Sequence, residues 1–267
     1  MAGDAVDLDV ERVIRSTFPH LSAWRRRGAT AYRPELGSSL AVDDQDWPPM
    51  PVSVMAWMGL TTATDHLVAI QRHIEARQLF SLAHLTLCRS ALIGAAQAAW
   101  VLSPTERADR VKRARTVALY LHGKHHQYLR GLQESVESPH EGTDLVAAHV
   151  DNRRSQLAAK RAADGEVIQL NTTEMIRSAA AAVFNDEILT RETVLAWQAG
   201  SGTAHGLVWP LFGTTAMAQS ASADADGVAE FQAGGSLSLI ANPYLAAFHI
   251  AQRAWALLEQ RGSGSRN

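Results

Sequence analysis

Apolar residues recur at steps of three and four along most of the 267-residue chain, the period that lines one face of an α-helix. Read with its interruptions, the pattern predicts helices at 5–17, 51–77, 79–101, 104–136, 140–163, 172–184, 187–209 and 243–260. Local start signals support these bounds. Ser103-Pro104-Thr105-Glu106 and Ser138-Pro139-His140-Glu141 have the form of capping boxes with proline at the first helical position, where the serine oxygen takes an orphan amide and the glutamate reaches back. Asn171-Thr172-Thr173-Glu174 repeats that logic, and Asn242-Pro243 supplies a fourth cap-and-proline start. Between the first two helices, 18–50 carries Pro19, Pro34, Pro48 and Pro49 and reads as an irregular arm. Near the end, 228–233 and 236–240 alternate around Gly234-Gly235, the pattern of a hairpin with a two-glycine turn. The expected fold is all-α, a multi-helix bundle with a small C-terminal β-hairpin. Residues 1–50 would form a helix and arm packed on a bundle at 51–260, and 261–267 a flexible tail.

Composition narrows the class without choosing a function. With 46% hydrophobic and 19% charged residues the chain has the makeup of a globular domain. A net charge of −2 supplies no global field for nucleic acid or an anionic membrane. Cys88 is the single cysteine, so neither an intramolecular disulfide nor a cysteine-built zinc site is available, and its leucine neighbours make it a buried hydrophobe. The acidic N-terminal stretch (Asp4, Asp7, Asp9, Glu11) lacks the pattern of a secretion signal, and a cytoplasmic address is expected. The apolar stretch 79–101 is interrupted by Arg89, His84, Ser90 and Gln97, which favours a central bundle helix over a membrane span.

Candidate chemistry concentrates in two helices. Trp197, Ser201, His205 and Trp209 recur every fourth residue, so on one helix a hydroxyl and an imidazole would sit between two indoles. Gly200, Gly202 and Gly206 in the same stretch imply the close approach of another backbone or a ligand. Arg89, on the otherwise apolar 79–101 helix, is a permanent cation that demands a carboxylate, carbonyls or an anionic ligand. On the 104–136 helix an apolar seam through Val111, Ala114, Ala118 and Leu121 would turn His125 and Tyr128 to the core. His122 and His126, one turn apart, have a spacing that chelates a metal ion, with His66 and His73 as further donors, although the paired Glu-x-x-His sequences of helical di-metal proteins are absent. The run Arg107, Arg110, Lys112, Arg113, Arg115 reads as a solvated face or a phosphate contact, and Arg25-Arg26-Arg27 similarly. Asp43, Asp44 and Asp46 read as a solvated loop.

The stretch from Thr86-Leu87-Cys88-Arg89-Ser90-Ala91-Leu92 through Trp100-Val101-Leu102-Ser103-Pro104, followed downstream by Ser201-Gly202-Thr203-Ala204-His205-Gly206, resembles an uncharacterised bacterial helical family with an "RAALE" helix and a late "SGxAHG" motif. The resemblance implies a helical fold and brings no activity. Ile93 stands where those proteins place a glutamate four residues after the arginine. More distantly, a bundle with a late histidine is similar to the HEPN superfamily, whose ribonucleases pair an arginine and a histidine on one helix; here the pair would have to come from different helices.

The residues point first to a small or anionic ligand bound in an internal polar site formed by Arg89, Ser201 and His205, joined by His125 and walled by Trp197, Trp209 and Trp100. As an enzyme it would use His205 as general base and Arg89 to hold negative charge. The alternatives are a metal-dependent helical enzyme using His122 and His126, and a HEPN-like nucleic-acid-binding or toxin–antitoxin protein. No cofactor and no membrane partner are expected.

Overall fold

The structure, a computed structural model, describes residues 2–135, 141–212, 214 and 217–264. The helices run α1 (Ala2–Ser16), α2 (Phe18–Gly28), α3 (Ser39–Asp44), α4 (Val52–Glu75), α5 (Ala83–Leu102), α6 (Arg107–Ser135), α7 (Glu141–Ala163), α8 (Thr172–Phe184), α9 (Glu187–Ala204) and α10 (Leu237–Gly262). A short 3-10 turn (Trp209–Leu211) and an antiparallel pair, β1 (Met217–Ala221) and β2 (Glu230–Ala233), separate the last two helices. The chain is an all-α bundle with a small hairpin.

Helix α5 is the axis of the bundle, packed against α4, α8, α9 and α10. Its alanine-rich faces allow that crowding: Ala91, Ala95, Ala96, Ala98 and Ala99 are all fully buried. The closest crossing is with α4, where a Cβ built on Gly59 would stand 2.5 Å from the Gly94 carbonyl, and one on Gly94 2.5 Å from the Gly59 carbonyl. Only two glycines let the helices meet backbone to backbone there. Among the described residues α5 is also the one helix long and apolar enough to cross a membrane, and most of it is enclosed by its neighbours.

Several local expectations are corrected. Segment 18–50 is about half helical: α2 follows α1 after Thr17, whose hydroxyl bonds the Ile14 carbonyl and Tyr244, and Ser38 caps α3 by accepting from the Ala41 amide. Ser103 does not start a helix. It continues the backbone of α5 and returns its hydroxyl to the Ala99 carbonyl, while α6 begins at Arg107. The box at 138–141 lies outside the described residues at its serine end. Asn171 does cap α8, accepting from the Glu174 amide at 3.1 Å.

At the C-terminal end, 236–240 is not a strand. Ser236 accepts from the Leu239 amide and opens α10, so Pro243 lies inside that helix rather than at its start. The partner of β2 is β1, and the reversal is made at Asp224, whose carboxylate accepts the Asp226 and Val228 amides, with Gly227 at φ +81°. Gly235 instead meets the 79–80 backbone: an added Cβ would lie 2.3 Å from the Leu79 carbonyl carbon.

The seam on α6 also changes face. Val111, Ala114 and Ala118 are buried as expected, but Tyr128 is 63% exposed and His125 is exposed. The first half of α6 packs on α4 and α5, whereas the second half rests on α7, where Leu129 meets Ala147 and Val150. The partner approaches from another side, so the buried stripe rotates onto His122, His126 and Leu129.

Candidate functional site

The late motif first acts as a helix stop. The Leu207 amide bonds the Gly202 carbonyl and the Gly206 amide the Thr203 carbonyl, both at 3.0 Å, with Gly206 at φ +76°. This is the paired closure that ends a helix on a left-handed glycine. The expected helix at 187–209 therefore ends at Ala204, and the fourfold repeat is split. Trp197 and Ser201 share a face of α9; His205 becomes the cap residue, exposed; Trp209 folds back so that its ring lies where a Cβ on Gly202 would stand.

Ser201 meets Arg89. The Arg89 Nε donates to the Ser201 Oγ at 3.0 Å, across 112 positions of chain. The approach is set by Gly200, where an added Cβ would be 2.6 Å from the Arg89 Cβ and 2.7 Å from the Leu85 carbonyl oxygen. Beside this pair the Thr86 and Thr203 hydroxyls bond one another at 3.1 Å, and Thr203 also donates to the Gly200 carbonyl. One turn before Ser201, the enclosed Trp197 Nε1 has no partner among the described residues. Among the described residues Arg89 forms no ion pair, and its only hydrogen bond is the one to Ser201. The half-buried Arg89 guanidinium thus lies at the α5–α9 seam without a carboxylate partner among the described residues.

The remaining expected members stand apart. His205 has no side-chain bond to Arg89 or Ser201. Trp100 is three turns further along α5, roughly 16 Å by helix rise, and is covered by Arg113, whose guanidinium lies 5.0 Å from its ring centroid. His125 faces solvent on α6. Trp209 is 48% exposed beyond the end of α9.

Metal ligation finds no assembled set: among the described residues no group of three or more His, Cys, Asp or Glu side chains is placed to hold an ion. His122 and His126 lie against α7, where His126 Nδ1 is 3.8 Å from Asp151. Burial pushes the His122 imidazole down from its ordinary value, and His125, Arg153 and His149 add to the effect. His66 is lowered chiefly by burial. His73 pairs elsewhere, its Nδ1 3.0 Å from the Nε2 of His84. Cys88 is fully buried and burial pushes its thiol up, away from nucleophile chemistry.

Two charged segments read separately as solvated prove to be partners. Arg110 donates from Nε and Nη2 to the buried Asp43 at 2.6 and 3.0 Å. Arg115 does the same to Asp46 and adds Asp164 and Glu166. Asp44 accepts the Ser53 amide and hydroxyl at the start of α4. The same basic run closes the end of α5. Pro104 has no amide to give to the Trp100 carbonyl, and Arg113 donates there at 2.7 Å. Arg110 takes the Pro104 and Thr105 carbonyls, and Arg261 those of Leu102 and Pro104. Three arginines so satisfy the orphan carbonyls at a helix C-terminus, where the dipole also favours cations. The signal available in the sequence was the matched excess of acid at 43–46 and base at 107–115.

Comparison with models of protein families, with curated proteins and with solved structures finds no match to this chain.

Proposed function

We propose that the chain binds a small anionic ligand at the α5–α9 seam, held by Arg89 and Ser201. One observation carries this reading: a half-buried guanidinium whose Nε is fixed by Ser201 while its remaining donors meet no protein carboxylate among the described residues. An unpaired cation in a partly desolvated setting is costly, and an anion relieves that cost. The reading is of binding rather than acid–base chemistry, because the one imidazole of the motif, His205, has no bond to Arg89 or Ser201 and stands at the exposed helix cap. A nucleic-acid role draws no support from 107–115, since Arg110, Arg113 and Arg115 are engaged within the protein.

The test is titration of the full chain with phosphate, sulfate and a panel of organic carboxylates and phosphate esters, followed by isothermal calorimetry and by the backbone resonances of α5 and α9. Saturable binding lost in Arg89→Gln and weakened in Ser201→Ala supports the reading. No binding of any anion at millimolar concentration, or binding unchanged in Arg89→Gln, overturns it.

A further inference from the structure

A wide opening lies away from that seam, between α2 and α4. A cavity of about 720 Å³ is lined by Trp24 and Arg25 on one side and by Thr64, Asp65, Val68 and Arg72 on the other. A second cavity of about 420 Å³ shares Arg25, Val68 and Arg72 with it, so the two form one continuous groove. The α4 wall is written at helical spacing: Asp65, then Val68 and Ala69, then Arg72, an acid, an apolar pair and a base on one face. Opposite the apolar pair, Trp24 is held rigid by stacking on Phe248 at 5.2 Å and on Trp255 at 6.3 Å.

The charges of the groove are not consumed by one another. Asp65 and Arg25 form no ion pair among the described residues. Arg72 is steadied by Glu75 at 2.8 Å, which anchors it at its end of the groove.

We propose that the α2–α4 groove binds an elongated zwitterion of the class of dipeptides and ω-amino acids. Its ammonium meets Asp65, its body lies on Val68, Ala69 and the Trp24 ring, and its carboxylate meets Arg25 and Arg72. The spacing selects length. Seven residues of helix separate the Asp65 and Arg72 backbones by about 10 Å, whereas two extended residues span about 7 Å and a hydrogen bond of about 3 Å at each end brings the whole to about 13 Å, a length met when the two side chains splay apart along the groove. A single α-amino acid, with its charges on one carbon, reaches one end only.

The experiment is calorimetric titration of the full chain with Ala-Phe and with 6-aminohexanoate, beside N-acetyl-Ala-Phe, Ala-Phe amide and free alanine. The first two should bind saturably, and blocking either terminus should weaken binding by about tenfold or more, the worth of one hydrogen bond to a charged group. Asp65→Asn should erase the preference for a free amine, and Arg25→Gln with Arg72→Gln the preference for a free carboxylate. Asp65, Arg25 and Arg72 are exposed, so these variants fold. The titrations are repeated in the Arg89→Gln background, where the seam can no longer take a carboxylate, and the preference for two free ends should persist there, which separates failure of the groove from failure of the anion site. Absence of saturable dipeptide binding at millimolar concentration, or binding indifferent to Asp65→Asn and to loss of the two arginines, overturns the proposal.

Discussion

Asp43 and Arg110, 67 positions apart, face each other through two hydrogen bonds in a site where neither side chain reaches solvent. The pair ties α3 to the start of α6, and the same guanidinium reaches the Pro104 and Thr105 carbonyls beyond α5. Removing one partner leaves a buried charge unmatched, which costs about 3–5 kcal/mol, whereas replacing both with apolar residues of similar volume is near neutral. Asp43→Ala is therefore expected to lower the urea midpoint sharply, and Asp43→Leu with Arg110→Met to recover part of the loss, the remainder being the Pro104 and Thr105 carbonyls that Arg110 no longer satisfies. Equal destabilisation by the single and the double variant would show that the pair is not what holds the two helices together.

The second pair of the network predicts acid sensitivity. Burial would by itself raise the Asp46 carboxyl, but the hydrogen bonds and charge of Arg115, with Lys160 and Arg107, overcome this and hold it below its ordinary value. A carboxylate depressed in the folded state contributes stability that is present above its unfolded value near 3.9 and is lost as pH falls through the folded one. Stability measured by urea unfolding should decline as pH drops below about 4, and the decline should be shallower in Asp46→Asn. A variant with the wild-type pH slope would remove Asp46 from this role.

The helical scaffold was legible where local chemistry decides: Asn171 caps α8 as its sequence demands, and the length of α4 follows from its apolar period. What escaped was decided at a distance. Asp43 and Asp46 look solvated because their partners lie on α6, and nothing within a few residues marks them as buried. Pro243 resembles a helix start, yet Ser236 opens α10 earlier and the buried Leu237, Ile240 and Ala241 carry the helix through the missing amide. At the candidate site the sequence placed Arg89 with Ser201 but not the exposure of His205, because a repeat of four continues only while the helix does and Gly206 ends it.

The imidazole pair on α4 and α5 gives a prediction in a different pH range. His84 is fully buried; its Nδ1 accepts the Phe80 amide at 3.2 Å, so its Nε2 carries the proton toward His73. Burial, and then the proximity of His73, push His84 down to about 4. The folded protein keeps this ring neutral while the unfolded chain protonates near 6.5, so stability falls as pH drops from 6.5 toward 4 and levels off below. One proton corresponds to about 1.4 kcal/mol per pH unit within that window. His84→Gln should flatten the slope between pH 6 and 4.5, and an unchanged slope would assign the titration to another group.

Gly200 controls whether Arg89 and Ser201 meet at all. A methyl group there would fall 2.6 Å from the Arg89 Cβ and 2.7 Å from the Leu85 carbonyl, atoms of a buried helix that cannot yield as a flexible side chain would. Gly200→Ala must then move α9 off α5, at a cost of about 1–3 kcal/mol for overpacking. The displacement should break the 3.0 Å Arg89–Ser201 bond and abolish anion binding at the seam. Gly206→Ala provides the contrast: its cost is about 1 kcal/mol of left-handed backbone strain, with open space around the added methyl and no change in the α5–α9 distance. Chemical denaturation together with resonance perturbation at Arg89 Nε distinguishes the two. If Gly200→Ala leaves both the stability and the Arg89 Nε resonance at wild-type values, the close approach of α5 and α9 is not what positions the guanidinium.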